Sequence, residues 1–191
     1  MTRLWLVRHG PTHAKAMVGW TDLPADLSDS AQIARLDAHL PKGALLQSSD
    51  LIRASATADA VAAGRTRLPH DPALREIHFG AWEMRTFAEI DAEAPDHIRA
   101  FWETPGAVSA PSGESWNDLL GRIGGAITAL TARHQGDIVL VAHFGAILAA
   151  VQHTTGISTA TALSHKIDNL SVTRLDLGPD GWTLRQINHL P

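Results

Sequence analysis

The sequence predicts an α/β fold, a three-layer α/β/α sandwich around a mostly parallel, mixed central sheet. Three observations carry this. Short apolar runs alternate with helix-length amphipathic segments. The run at 138–142 (Ile-Val-Leu-Val-Ala) is apolar throughout, as in a strand covered on both faces. The runs at 172–177 and 182–187 flank Gly178-Pro179-Asp180-Gly181, which reads as a hairpin and so as an antiparallel edge.

The elements follow in order. Residues 4–7 (Leu-Trp-Leu-Val) form a short buried strand that runs into Arg8, His9 and Gly10. Residues 28–40 form a helix that Pro41 ends, and 44–47 a second strand. The helix over 49–63 has Asp50 near its cap, Ala54, Ala58 and Val61 on one face, and Gly64 as its stop. In an irregular middle region, 95–102 reads as a helix. The strongest helix is 115–134. Ser115 and Asp118 resemble a capping box, and Leu119, Ile123, Ile127 and Leu130 make its apolar stripe. An apolar helix over 144–153 follows the uninterrupted strand.

Composition narrows the function classes. A chain of 191 residues suits one domain over its whole length. A net charge of -4 gives no basic footprint for nucleic acid or an anionic membrane. There is no cysteine, which excludes disulfides and thiolate metal sites. No apolar run is long enough to span a bilayer, and the N-terminus lacks a leader-type pattern, so a cytoplasmic location is expected.

Three strands end alike. The first runs into Arg8-His9-Gly10, the second into Ser48-Ser49 with Arg53 in the next helix, and the strand at 138–142 into His143. Open α/β sheets bind ligands beyond the carboxyl ends of their strands. Two arginines and two histidines can therefore share one cleft, and helix N-termini there would add N–H groups. Such a site suits a dianion such as phosphate. Taken singly, Arg8-His9 reads as a surface pair, Arg53 as a solvated charge and His143 as a satisfied core histidine. Their coincidence at equivalent strand ends is what favours a site.

These residues lie in five ordered blocks. They are Leu6-Val7-Arg8-His9-Gly10 with Thr12, Ser48-Ser49-Asp50-Leu51-Ile52-Arg53-Ala54 continuing to Thr57-Ala58, Leu74-Arg75-Glu76-Ile77 with Phe79-Gly80-Ala81-Trp82-Glu83, Pro111-Ser112-Gly113-Glu114-Ser115, and Val141-Ala142-His143 before Gly145. In this order they resemble the histidine phosphatase superfamily, the phosphoglycerate mutase-like proteins. The size, together with the Phe-Gly-x-Trp-Glu block, is similar to its small-molecule phosphatases, α-ribazole phosphatases among them.

The resemblance implies roles. His9 is the nucleophile that forms a phosphohistidine, and neighbouring arginines favour its neutral form. Arg8, Arg53 and His143 surround the phosphoryl oxygens, with Thr12 as a further candidate contact. Glu76 protonates the leaving oxygen and then activates water, which calls for a protonated carboxyl favoured by burial near Trp82 or Phe79. Glu83 braces an arginine rather than touching substrate. Phe79 and Trp82 read as packing, and Glu114 and Ser115 as a helix start. His13, four residues after His9, has the spacing of a metal pair but no third ligand in the motif. His39, His134 and His189 read as surface residues. No metal and no cofactor is expected. The implied partner is a small phosphorylated substrate, with neither nucleic acid nor membrane, and nothing distinguishes a monomer from a homodimer.

Two departures bear on the substrate. Pro11 and Lys15 stand where the family often has glutamate and asparagine, so Lys15 either supplies a cation to the phosphate or points outward. Phe144 follows His143 where glycine is common, and it either narrows the phosphate pocket or gives the leaving group an apolar wall. A cap insertion over the cleft is expected at about 85–113, with Phe87, Ile98, Phe101 and Trp102. Three functions follow as alternatives: a metal-independent phosphomonoesterase of the histidine acid phosphatase type, a mutase, and a non-catalytic phosphate-sensing domain.

Overall fold

The alternation of apolar residues along the strands settles where the layers form. In the computed structural model, which describes residues 1–191, β1 (Thr2–Arg8) and β4 (Gly136–Ala142) lie side by side in parallel. Leu4, Leu6, Ile138, Leu140 and Ala142 face one core, while Val7, Val139 and Val141 face another. A strand that buries both sets of alternate side chains must be covered on both faces. The first face is covered by α5 (Trp116–Arg133) and α6 (Phe144–Thr155), the second by α1 (Ser30–His39) and α2 (Ile52–Ala60).

With β2 (Leu45–Ser48), β3 (Thr66–Arg67), β5 (Val172–Gly178) and β6 (Gly181–His189), the sheet runs β3-β2-β4-β1-β5-β6. The first four strands are parallel, and β5 and β6 add the antiparallel edge. The expected α/β sandwich with a mixed sheet is the one observed. No helix is long and apolar enough to cross a membrane.

Local rules explain most boundaries. Asp29 accepts from the Gln32 N–H and caps α1. Ser115 and Asp118 close a full capping box at α5. The helix expected over 49–63 is shorter, and Asp50 does not cap it. The Asp50 carboxylate is held by Arg75 instead (2.8 and 2.5 Å), and Asp22 takes the Ile52 N–H at 2.7 Å. A cap from thirty residues away has no local signature. The middle region contains α3 (Phe87–Glu93), which periodicity did not reveal, and α4 (Pro95–Glu103). Seven residues are too few to display a helical stripe, although Thr86 and Glu89 form a capping box. The strand β3 and the helix α7 (Thr159–Leu163) were also missed, and both are too short to show a period.

Candidate active site

Register brings the strand ends together. Arg8 pairs with Ala142 across β1 and β4, and Ser48 with Val141 across β2 and β4. The residues that follow, His9, Ser49 and His143, therefore leave the same edge of the sheet. The His9 and His143 rings lie 5.0 Å apart. Both histidines are buried, at 6% and 0% exposure. A cleft of about 220 Å³ opens here, lined by Arg8, His9, Thr12, Arg53, Glu76 and Phe144 among others.

His9 is fixed by its neighbours. Its Nδ1 lies 2.6 Å from the Gly10 carbonyl oxygen, which can only accept, so Nδ1 carries the proton and Nε2 keeps a free lone pair. The Asn169 amide donates to the His9 carbonyl, and the Gly10 N–H donates to Thr57 Oγ1. Burial, then the Arg53 charge and more weakly Arg8, hold the His9 pKa down to about 3. The ring is thus neutral at physiological pH. His143 is pushed well below its usual value, again by burial first and then by His9 and Arg53. Neither of its ring nitrogens has a partner in the chain, and neither has Arg8 Nε. Buried polar groups are normally paired. Unpartnered polar atoms beside a cleft lined by Arg8 and Arg53 fit an anion.

The arginines are aimed by main-chain oxygens. Arg8 Nη1 donates to the Ile167 carbonyl at 2.6 Å. Arg53 donates to the Thr21 and Gly19 carbonyls at 2.9 and 2.5 Å. The 19–21 segment is itself held by Glu83, whose carboxylate accepts from the N–H groups of Gly19, Trp20 and Thr21 and from the Thr21 hydroxyl. Glu83 therefore braces Arg53 through the loop and makes no ion pair with it.

Glu76 lies at the edge of the cleft, 8% exposed. Its carboxylate accepts from the Ile77 N–H at 2.9 Å and from the Gly145 N–H at 3.0 Å. A Cβ on Gly145 would fall 2.5 Å from Glu76 Oε1, so this close approach needs glycine. The Glu76 carbonyl receives bonds from Trp20 Nε1 and Arg122 Nη2. Arg122 also donates to the Ala73 and Arg75 carbonyls and forks onto Glu114 at 2.7 Å. Sequence reasoning missed Arg122 and Trp20. Arg122 sits on the polar side of α5, where an arginine looks like any solvated charge. The role of Glu114 is larger than a helix start, since it anchors Arg122.

Several expectations resolve differently. Lys15 does not line the cleft. It is exposed and borders a neighbouring cavity with Thr86, Phe87 and Trp102. At the helix starts, one N–H each is already engaged: Gly145 donates to Glu76 and Ile52 to Asp22. His13 is exposed and meets Asp26 at 2.8 Å. His39 is half-buried rather than fully at the surface, packing on Trp5 and His189. Phe79 shares an apolar cavity with Glu76, while Trp82 packs against Phe101 and His97 instead.

A mostly parallel α/β sandwich with a neutral histidine and two arginines at the carboxyl ends of its strands has the chemistry to bind a phosphate group. The chain belongs to the histidine phosphatase superfamily (branch 1), whose family model matches residues 4–190. The adenosylcobalamin/alpha-ribazole phosphatase of Escherichia coli K12 is 28% identical over 97% of this chain and 95% of its own. The structure of the alpha-ribazole phosphatase from Shigella flexneri superposes with a TM-score of 0.85 at 27% identity, covering 98% of this chain and 96% of that one. Mycobacterial glucosyl-3-phosphoglycerate phosphatase superposes with a TM-score of 0.85 at 30% identity over the full length of both chains. A probable phosphoglycerate mutase of Proteus mirabilis is similar too, 26% identical over 95% of this chain and 88% of its own.

Proposed function

We propose that the protein is a metal-independent phosphomonoesterase that works through a phosphohistidine at His9. The carrying observation is the His9 ring: neutral, with Nδ1–H tied to Gly10, and set beside the cleft that Arg8 and Arg53 line. In the first step Nε2 attacks phosphorus and the ester P–O bond breaks. The leaving oxygen takes a proton from Glu76. In the second step Glu76 takes a proton from water, the water oxygen attacks phosphorus, and the N–P bond breaks to release inorganic phosphate and neutral His9. Arg8, Arg53 and His143 offer donors to charge that spreads over the phosphoryl oxygens, and preorganised donors do most there. Thr12 lines the same cleft and fits a hydroxyl contact. The helices α3 and α4 serve as the cap.

The alternative within catalysis is a mutase, which must keep the phosphohistidine from water and hold a second anionic group. Against it, the only basic residues across 85–113 are Arg85, His97 and Arg99. Arg85 is spent on Glu93, Arg99 on Asp91, and His97 on the Ser109 carbonyl. The test compares phosphate release with isomerisation of 3-phosphoglycerate primed by 2,3-bisphosphoglycerate. Phosphate release from a panel of small phosphomonoesters, unaffected by chelator, is expected. Isomerisation far faster than phosphate release, or activity lost in chelator and restored by a divalent ion, contradicts the proposal.

A further inference from the structure

Two cavities meet at the proposed reaction centre. The cationic cleft shares Glu76 and Phe144 with a second, apolar chamber of about 70 Å³, walled by Phe79, Phe101, Trp102, Trp116, Phe144 and Leu163. If Glu76 protonates the leaving oxygen, that oxygen lies where the two cavities join. The phosphoryl group then occupies the cleft, and the rest of the ester extends toward the chamber.

We infer that the leaving group is uncharged and apolar next to its ester oxygen, and that Trp102 sets how large it can be. This rests on the phosphomonoesterase reading. No arginine, lysine or histidine lines the chamber, and its one ionisable group is Glu76. A carboxylate or second phosphate entering there would lose its hydration and gain no partner. Such a group also meets like charge whenever Glu76 is ionised. An apolar face meets aromatic rings instead.

Size is the second limit. An engineered cavity of roughly 150 Å³ holds benzene. A chamber of about 70 Å³ takes a short alkyl group or the edge of a ring and stops there. Trp102 is the wall that can change this. It is 44% exposed, the least buried of the chamber's aromatic rings, and it rests edge-on against Phe101 at 5.0 Å. Its other side borders a cavity of about 350 Å³, with Lys15, Ala16, Met17, Thr86 and Phe87. Removing the indole joins the chamber to that larger space. A ring serving only to pack α4 would have no bearing on which ester is cleaved.

The test measures kcat/KM for phenyl, 3-carboxyphenyl and 1-naphthyl phosphate, whose leaving groups are of similar acidity. Wild type, Trp102→Ala and Trp102→Phe are compared, with His9→Ala as the blank. Wild type is expected to favour phenyl over 3-carboxyphenyl phosphate by about 10-fold or more, and Trp102→Ala to raise the naphthyl-to-phenyl ratio by about 10-fold. Trp102→Phe, which keeps an aromatic ring on Phe101, reads the same ratio with a smaller change if the alanine variant fails to fold. A ratio unchanged in the folded variants, or equal use of the carboxylated ester by wild type, overturns the inference and leaves the phosphatase reading standing. Hydrolysis of none of the three by wild type overturns the phosphomonoesterase reading and this inference with it.

Discussion

Two pairs of histidines in this molecule look alike. The His9 and His143 rings lie 5.0 Å apart, and those of His39 and His189 lie 4.6 Å apart. His9, His143 and His39 are all held below their ordinary pKa by burial first. Their surroundings differ. His9 and His143 follow adjacent parallel strands at the centre of the sheet, where Arg8 and His143 have donors to spare. His39 and His189 end α1 and β6, beside Trp5. The arginine near them, Arg174, is forked onto Asp176 and lies over the Trp5 ring. His39 Nε2 is orphaned too, yet His39 does not line the cleft. A depressed histidine marks a site only when cations with unused donors and an open cleft stand beside it.

The largest expected contrast is in turnover. His9→Ala should lower kcat more than about 10³-fold, as loss of a nucleophile does. His39→Ala and His189→Ala should stay within about twofold of wild type, since neither touches the cleft. A comparable loss in both pairs, in variants with wild-type circular dichroism, would erase the distinction.

Glu76 sharpens the chemical side. Glu76→Gln should cost about 10²–10⁴-fold on an alkyl phosphate, the usual worth of a general acid. Both losses are read in kcat/KM, which reports loading of His9 alone, and there the cost should be far less on p-nitrophenyl phosphate, whose leaving oxygen hardly needs a proton. Equal losses would make Glu76 a structural residue.

Arg122→Met is the next step down. Arg122 holds the carbonyls of Ala73, Arg75 and Glu76, so its loss should displace the acid by a fraction of an ångström. A misplacement of about 1 Å can cost 10²-fold, so about 10-fold is expected here. The signature of a positioning role is a larger loss on the alkyl than on the p-nitrophenyl ester. Equal loss on both would point to general destabilisation.

The smallest effect is on stability. A histidine with a depressed native pKa binds its proton better when unfolded. Its native state therefore loses stability as pH falls below 6.5, and for His9 the loss continues to about 3. At pH 5 this amounts to on the order of 2 kcal/mol, at about 1.4 kcal/mol per unit. His9→Gln should therefore gain Tm relative to wild type at pH 5 and much less at pH 8, in phosphate-free buffer. His39→Gln should move in the same direction by less. A gain that does not depend on pH would show that the acid penalty arises elsewhere.

How much of this was legible in the sequence follows from how local each determinant is. The strand at 138–142, the capping box at Ser115 and the hairpin around Pro179-Asp180 are encoded within a few residues, and all three stand in the structure. His9, Arg8, Arg53, Glu76 and Thr12 could be brought to one cleft, with His143 beside His9, because motif order and strand ends fix their places. Lys15 could not be placed, since nothing local chooses between the cleft and the neighbouring cavity. Arg122, Trp20 and Asp22 act across 30 to 56 residues through main-chain groups that carry no side-chain signature. His39 read as a surface residue because its burial comes from β1 and β6, distant in sequence.

The central claim is that the free nitrogen of His9 carries the phosphoryl group. The most direct measurement is a base quench of Glu76→Gln during turnover of p-nitrophenyl phosphate, followed by ³¹P NMR and peptide mapping. This variant should load readily and discharge slowly, because its second step lacks a base. The account predicts close to one base-stable, acid-labile phosphoramidate per chain, on Nε2 of His9, and none in His9→Ala. A phosphoryl group on another residue, or turnover with no trapped phosphohistidine, would contradict it.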